Sequence, residues 1–177
     1  NVTIDAADLP AGITLAWAGG TPARVLAVEG NLSLVNVGVT GGHSVAEPLA
    51  VANPGDQPWT LARGGAVAVW GVARLRDCRL FDNHVEGDFD SSRDRGAFGG
   101  AVYADIVDMQ RCVVSGNSAL GAGAAGGGIY SVGGAGSTRT LSTIDSSAVS
   151  GNAIRGLFVY GAGIYSDGGG IGKANTL

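Results

Sequence analysis

The chain has 177 residues, of which 45% are hydrophobic and 15% charged. That suits one folded domain and excludes a disordered tract. Thirty-two glycines far exceed average usage, but they follow no Gly-X-Y period, which excludes collagen. The net charge of −4, with no basic cluster, argues against nucleic acid and anionic membrane as partners. No apolar run reaches the ~18 residues of a membrane span, so no membrane insertion is expected from this segment.

From the first residue onward the chain reads as short β-strands. Asn1 opens directly on Val2-Thr3-Ile4, which reads as a strand and not as a signal peptide. A weak cassette, ARVLAV, begins at Ala23, and the strand VNVGVTGG closes at Gly42. An insertion at about 45–63 carries Pro48, Pro54 and Pro58. The cassette GGAVAV starts at Gly64, and LRDCRLFDN closes at Asn83. A charged insertion, EGDFDSSRDRGAF, spans 86–98. GGAVY follows at Gly99, and QRCVVSGN closes at Asn117. GGGIY begins at Gly126, a third insertion covers 133–138, DSSAVSGN closes at Asn152, and GAGIY begins at Gly161.

The cassettes at Gly64, Gly99, Gly126 and Gly161 stand 35, 27 and 35 residues apart. Self-similarity at such a period signals a repeat architecture. The shortest interval is read as the basic rung and the longer ones as that rung plus a loop. Aligned on the closing residue, Val39, Leu80, Val114 and Val149 form one column. Val37, Cys78, Cys112 and Ser147 form a second on the same strand face, with Gly38, Arg79, Val113 and Ala148 between them. Leu34, Leu75, Met109 and Ile144 form a third apolar column. Its parity requires a corner or bulge before the next pair. Leu26, Val67, Val102, Ile129 and Ile164 form a fourth. Asn and Gly at the closing positions suit corners, because both tolerate left-handed backbone angles. No segment has a helical period flanked by caps.

The expected fold is all-β: a right-handed parallel β-helix, a pectate-lyase-like solenoid of about 5–6 coils. The chain reads as one β-helix domain over 1–177. Neither end carries a polar capping unit, so it also reads as a piece of a longer solenoid.

The glycine cassettes alternating with hydrophobic-x-x-Asn strand ends resemble the repeats of polymorphic outer-membrane proteins. They resemble equally the wider group of bacterial secreted parallel β-helix repeat proteins. The residues that carry the resemblance are Gly64–Val67, Gly99–Val102, Gly126–Tyr130 and Gly161–Tyr165, with strand ends at Leu80–Asn83, Val114–Asn117 and Val149–Asn152. The resemblance implies a bacterial secreted or cell-surface location and, in several branches, adhesion. It brings no catalytic motif.

Tyr103, Tyr130 and Tyr165 directly follow three residues of the aliphatic cassette column. If that column faces inward, the tyrosines form an outward ladder able to stack on sugar rings or a partner. Strand parity alone does not choose, and a structural ladder is the alternative. Cys78 and Cys112 hold equivalent positions in neighbouring coils. Their expected spacing of ~4.8 Å is compatible with a disulfide or with two free buried thiols. His43 and His84 follow equivalent closing residues and should be outer neighbours, either as solvated corner residues or as part of a metal or proton site. Asp88, Asp90 and Asp94, with Arg93 and Arg95, crowd the second insertion, and Asp105, Asp108 and Arg111 could extend that patch. Clustered carboxylates suit calcium, and paired acids suit sugar-polymer cleavage; the alternative is a solvated charged loop. Gly170-Ile171-Gly172-Lys173 lacks the spacing and the following Ser or Thr of a phosphate loop.

The expected function is non-catalytic: a secreted or surface stalk or adhesin that presents loops to a host-surface or polysaccharide ligand, with no cofactor. The first alternative is a β-helix that binds or cleaves polysaccharide, with calcium as its one candidate ion. The second is a subunit that stacks end to end into filaments.

Overall fold

The structure, a computed structural model, describes residues 1–46, 62–89, 96–133 and 142–167, and the backbone of 171–174. The described residues are all-β, and every strand pairing among them is parallel. Equivalent strands of successive coils stack into four sheets, which makes the chain a parallel β-helix.

The long face holds two columns. One runs through Leu26–Glu29, the first part of Val67–Arg76, the first part of Val102–Gln110, Ile129–Ser131 and Ile164–Ser166. The other runs through Val2–Asp5, Leu32–Val35, the latter parts of the same two long strands, Ser142–Asp145 and Ile171–Ala174. The second face stacks Ile13–Ala16, Val37–Thr40, Arg79–Phe81, Val113–Ser115 and Ala148–Ser150. The third face stacks His43–Val45, His84–Glu86, Ser118–Leu120 and Ala153–Arg155. The fourth stacks Ala62–Arg63, Gly96–Phe98, Gly123–Ala125 and Phe158–Tyr160.

The columns of like residues in the sequence coincide with the hydrogen-bond register. Val39, Leu80, Val114 and Val149 pair in series, as do Leu34, Leu75, Met109 and Ile144. Both sets point into the lumen, where Leu34, Val39, Leu80 and Val114 have no solvent exposure. The lumen beside the third and fourth faces is narrower and holds small residues around Val85: Ala62, Ala97, Ala119 and Ala124. The parity break expected after the third apolar column is a corner. Asn36, Asp77, Arg111 and Ser146 occupy it with φ of 54°, 55°, 51° and 47°. The expected insertions fall between Val45 and Ala62, between Glu86 and Gly96, and between Ser131 and Ser142.

The closing asparagines differ from the sequence expectation. At the corner between the second and third faces, the left-handed residues are Gly41, Asp82, Gly116 and Gly151, each one position earlier. Asn83 and Asn117 have ordinary backbone angles and bury their side chains. The reason is hydrogen bonding. Asn117 Oδ1 accepts from the backbone N–H of Asn83 at 3.1 Å and from its Nδ2 at 2.9 Å. Asn152 Oδ1 serves Asn117 in the same way, at 3.0 and 2.9 Å. Each amide nitrogen also donates to carbonyls in its own and the preceding coil. The amide ladder satisfies backbone groups that a corner would otherwise leave bare.

Candidate functional site

The outer faces of the coils carry the residues with chemistry. Val102 and Ile129 fill the lumen, so Tyr103, Tyr130 and Tyr165 lie on the outer side of the long face, in register with one another. They are not an open aromatic platform. Tyr103 is only 9% exposed and Tyr130 only 8%. The outer sides of the long and fourth faces meet at an angle there, and Phe98, Ala125 and Val132 pack against the rings. Tyr103 and Tyr130 stack 5.5 Å apart with planes 5° from parallel, Phe98 meets Tyr130 at 4.9 Å, and Arg63 lies 5.3 Å over Tyr103. The faces of the Tyr103 and Tyr130 rings are thus engaged by neighbouring side chains. The exposed aromatic edge lies further along, at Tyr160, whose ring is 5.7 Å from that of Tyr165.

Burial raises both inner phenols above their usual pKa. For Tyr130 the negative charge of Asp167, which accepts its hydroxyl hydrogen bond at 3.2 Å, adds to the shift. A raised folded-state pKa contributes stability that is fully present below the unfolded value of about 10 and is lost as pH rises beyond it. In a spectrophotometric alkaline titration these two tyrosines should ionise late, together with loss of β circular dichroism. Early ionisation of all the tyrosines with the fold intact would show the rings to be uncovered.

Cys78 and Cys112 stack in the lumen as expected, each 1% exposed, and both are free thiols. The backbone N–H of Cys78 points to Cys112 Sγ at 3.3 Å, and the Cys112 thiol donates to the Gln110 carbonyl at 3.2 Å. Contact with the Cys78 thiol and burial together push the Cys112 thiol well up, which suppresses its thiolate. Because both sulfurs are shut inside the lumen, the native protein should resist a thiol reagent, whereas denatured protein should release both thiols. Finding none after denaturation without reductant would establish the disulfide instead.

The acidic patch divides. Asp88 lies where the chain leaves the third face, and its carbonyl accepts from Ala122 N at 2.8 Å. Asp90 and Asp94 fall outside the described residues. Asp108 belongs to the long face, where it accepts from the Thr143 hydroxyl at 2.8 Å. Arg111 stands at the next corner and clamps Asp77 of the preceding coil through two bonds of 2.7 and 2.8 Å. That guanidinium holds the Asp77 carboxyl below its usual range. Asp108 and Arg111 thus sit on different faces of the coil from Asp88. The Asp77–Arg111 pair instead lines a groove of about 620 Å³ on the second face, with Asn36, Arg79, Phe81 and Val113.

The histidines are strand residues, not corner residues. His43 and His84 open adjacent strands of the third face and are register partners. Ser44 and Val85 point inward, so the residues flanking them point outward. Glu86, two residues beyond His84, therefore shares the outer side with both imidazoles. Its Oε2 lies 3.4 Å from His43 Nε2 and 3.8 Å from His84 Nε2. The imidazole rings are 4.8 Å apart and tilted by 59°. His84 Nδ1 is 2.7 Å from Ser118 Oγ in the next coil. Burial, reinforced by the neighbouring His43 and opposed by Glu86, keeps the His84 imidazole below its usual pKa. These three side chains form the group among the described residues that could hold a metal ion. Repetition does not mark Glu86, since its register partners are Val45 and Leu120. The available signal was the His-x-Glu spacing, which places both groups on one side of a strand.

Comparison with known protein families, with curated proteins and with solved structures finds no match for this chain.

Proposed function

We propose that this chain is a non-catalytic, secreted or cell-surface β-helix module that holds binding surfaces at fixed spacing. The observation that carries the reading is the buried asparagine ladder, Asn83–Asn117–Asn152, running along the coil axis. It ties each coil to the next through side chains as well as backbone. A scaffold of this kind resists shear and keeps its outer residues in register. The surface location rests on the resemblance of the glycine cassettes to bacterial secreted repeats.

A polysaccharide ligand is the second reading, favoured by the groove on the second face. Arg79 and Arg111 bring two fixed positive charges to it against the one carboxylate of Asp77, and Phe81 offers an apolar ring. That composition suits an acidic sugar polymer.

One experiment tests both readings. The protein is incubated with acidic polysaccharides and with cultured host cells, and retention and unsaturated sugar product are measured. Retention without product supports the module, and retention on the polymer that Arg111→Ala abolishes supports the groove. Unsaturated product would overturn the non-catalytic reading, and absence of retention on every surface would overturn the binding role.

A further inference from the structure

We propose that His43, His84 and Glu86 bind a divalent transition-metal ion of the zinc class on the outer side of the third face, with water completing the coordination. Their donor atoms all lie within 4.8 Å of one another. Donors on one tetrahedral zinc stand roughly 3.3–3.5 Å apart, given metal–ligand bonds of about 2.0–2.2 Å. The observed 3.4 and 3.8 Å from Glu86 to the two imidazoles are already close to that spacing. Glu86 stands two residues along its strand from His84, roughly 6.6 Å by backbone rise, so its carboxylate reaches back toward the imidazoles beyond what the ladder alone imposes.

Three further features fit a cation. His43 Nε2 is a buried nitrogen with no hydrogen-bond partner, and it is one of the converging atoms. The Ser118 hydroxyl engages His84 Nδ1, and in the tautomer whose Nδ1–H donates to it, His84 Nε2 carries the lone pair that a metal needs. Such an outer partner orients a ligating imidazole. The three side chains remain 37%, 31% and 43% exposed, which gives the ion a path in and leaves room for water. Two imidazoles and a carboxylate select a borderline first-row ion and disfavour calcium, which takes oxygen ligands. The ion would join the strands of two successive coils. This site does not depend on the binding role proposed above.

The test uses untagged protein stripped with chelator and titrated with zinc by calorimetry, with cobalt as a spectroscopic probe. One saturable ion per chain is expected, with visible cobalt bands and a raised melting temperature. His43→Ala, His84→Ala and Glu86→Gln should each weaken binding about tenfold or more, and the double histidine variant should abolish it. Ser118→Ala, which removes no ligand, should weaken it by about tenfold to a hundredfold. Circular dichroism verifies that each variant is folded. Unchanged zinc affinity in the folded double histidine variant would overturn the proposal. So would binding that disappears only with Cys112→Ser, or failure of the unaltered protein to bind zinc or cobalt.

Discussion

Gly100→Ala should destabilise the protein by about 3 kcal/mol or more, the upper end of what overpacking costs. Gly100 is the second glycine of its cassette, and its neighbour Gly99 takes the left-handed turn at φ 70°. A Cβ on Gly100 would run into the carbonyl oxygen of Gly127 in the next coil and would come within 2.8 Å of the Ser118 backbone. Both obstacles are backbone, and both are pinned. Gly100 N donates to the Gly126 carbonyl at 3.0 Å, and Ala101 N and Val102 N both donate to the Gly128 carbonyl, at 2.9 and 3.0 Å. The coils cannot separate locally without breaking that ladder. The expected fall in melting temperature is roughly 6–12 °C for a chain of this size. Gly20→Ala is the matched control, since an added Cβ there meets nothing within 4 Å. Its effect should stay within about 0.5 kcal/mol. Equal melting of the two variants would show that the cassette glycines are not required by close stacking.

Asn117→Ala should cost about 3 kcal/mol. The side chain is fully buried and makes five hydrogen bonds. Its loss leaves the Asn83 backbone N–H and the carbonyl of Leu80 short of a partner. Each buried group stranded in this way costs about 1–3 kcal/mol. Asn117→Asp separates the two halves of the ladder. The carboxylate could still accept from Asn83, but it cannot donate to Leu80 or Ser115, and it would place a charge in the lumen. It should be at least as damaging as alanine. Asn152→Ala should be milder, because Asn152 is only partly buried. Denaturant unfolding of the three variants checks the order. If Asn117→Asp were as stable as the unaltered protein, the donor side of the ladder would contribute nothing.

The columns were legible because a solenoid writes its register into the sequence. Val39, Leu80, Val114 and Val149 recur at the same distance from a closing Gly or Asn, and the same residues are register partners in the sheet. The corner after Leu34, Leu75, Met109 and Ile144 was legible as a parity break. Which residue would take the left-handed angle there was not. Asn36 fits the expectation, but Asp77, Arg111 and Ser146 take the same angle, and the N–H groups of Asp77 and Arg111 are bonded to the following coil. The asparagines expected at the next corner were more valuable as internal hydrogen-bond donors and acceptors, so the strained angle moved one residue earlier.

The outer surface was much less legible. Alternation within a strand says that Val102 and Tyr103 face opposite ways, but not which of them meets the lumen. Nor does it say that the neighbouring fourth face would bring Phe98 over the tyrosines. The histidine pair shows the same division. Their equivalent places after the closing residues make His43 and His84 neighbours although they are 41 residues apart, but nothing in that equivalence brings Glu86 to them. The sequence by itself determined the parallel β-helix, its columns and most of its corners, because each coil repeats one pattern of apolar residues and glycines. Only the tertiary structure decided that His43, His84 and Glu86 converge and that Tyr103 and Tyr130 are covered. Those outcomes depend on the angle between adjacent faces and on side-chain tips from different coils meeting in space, and neither quantity has a period along the chain.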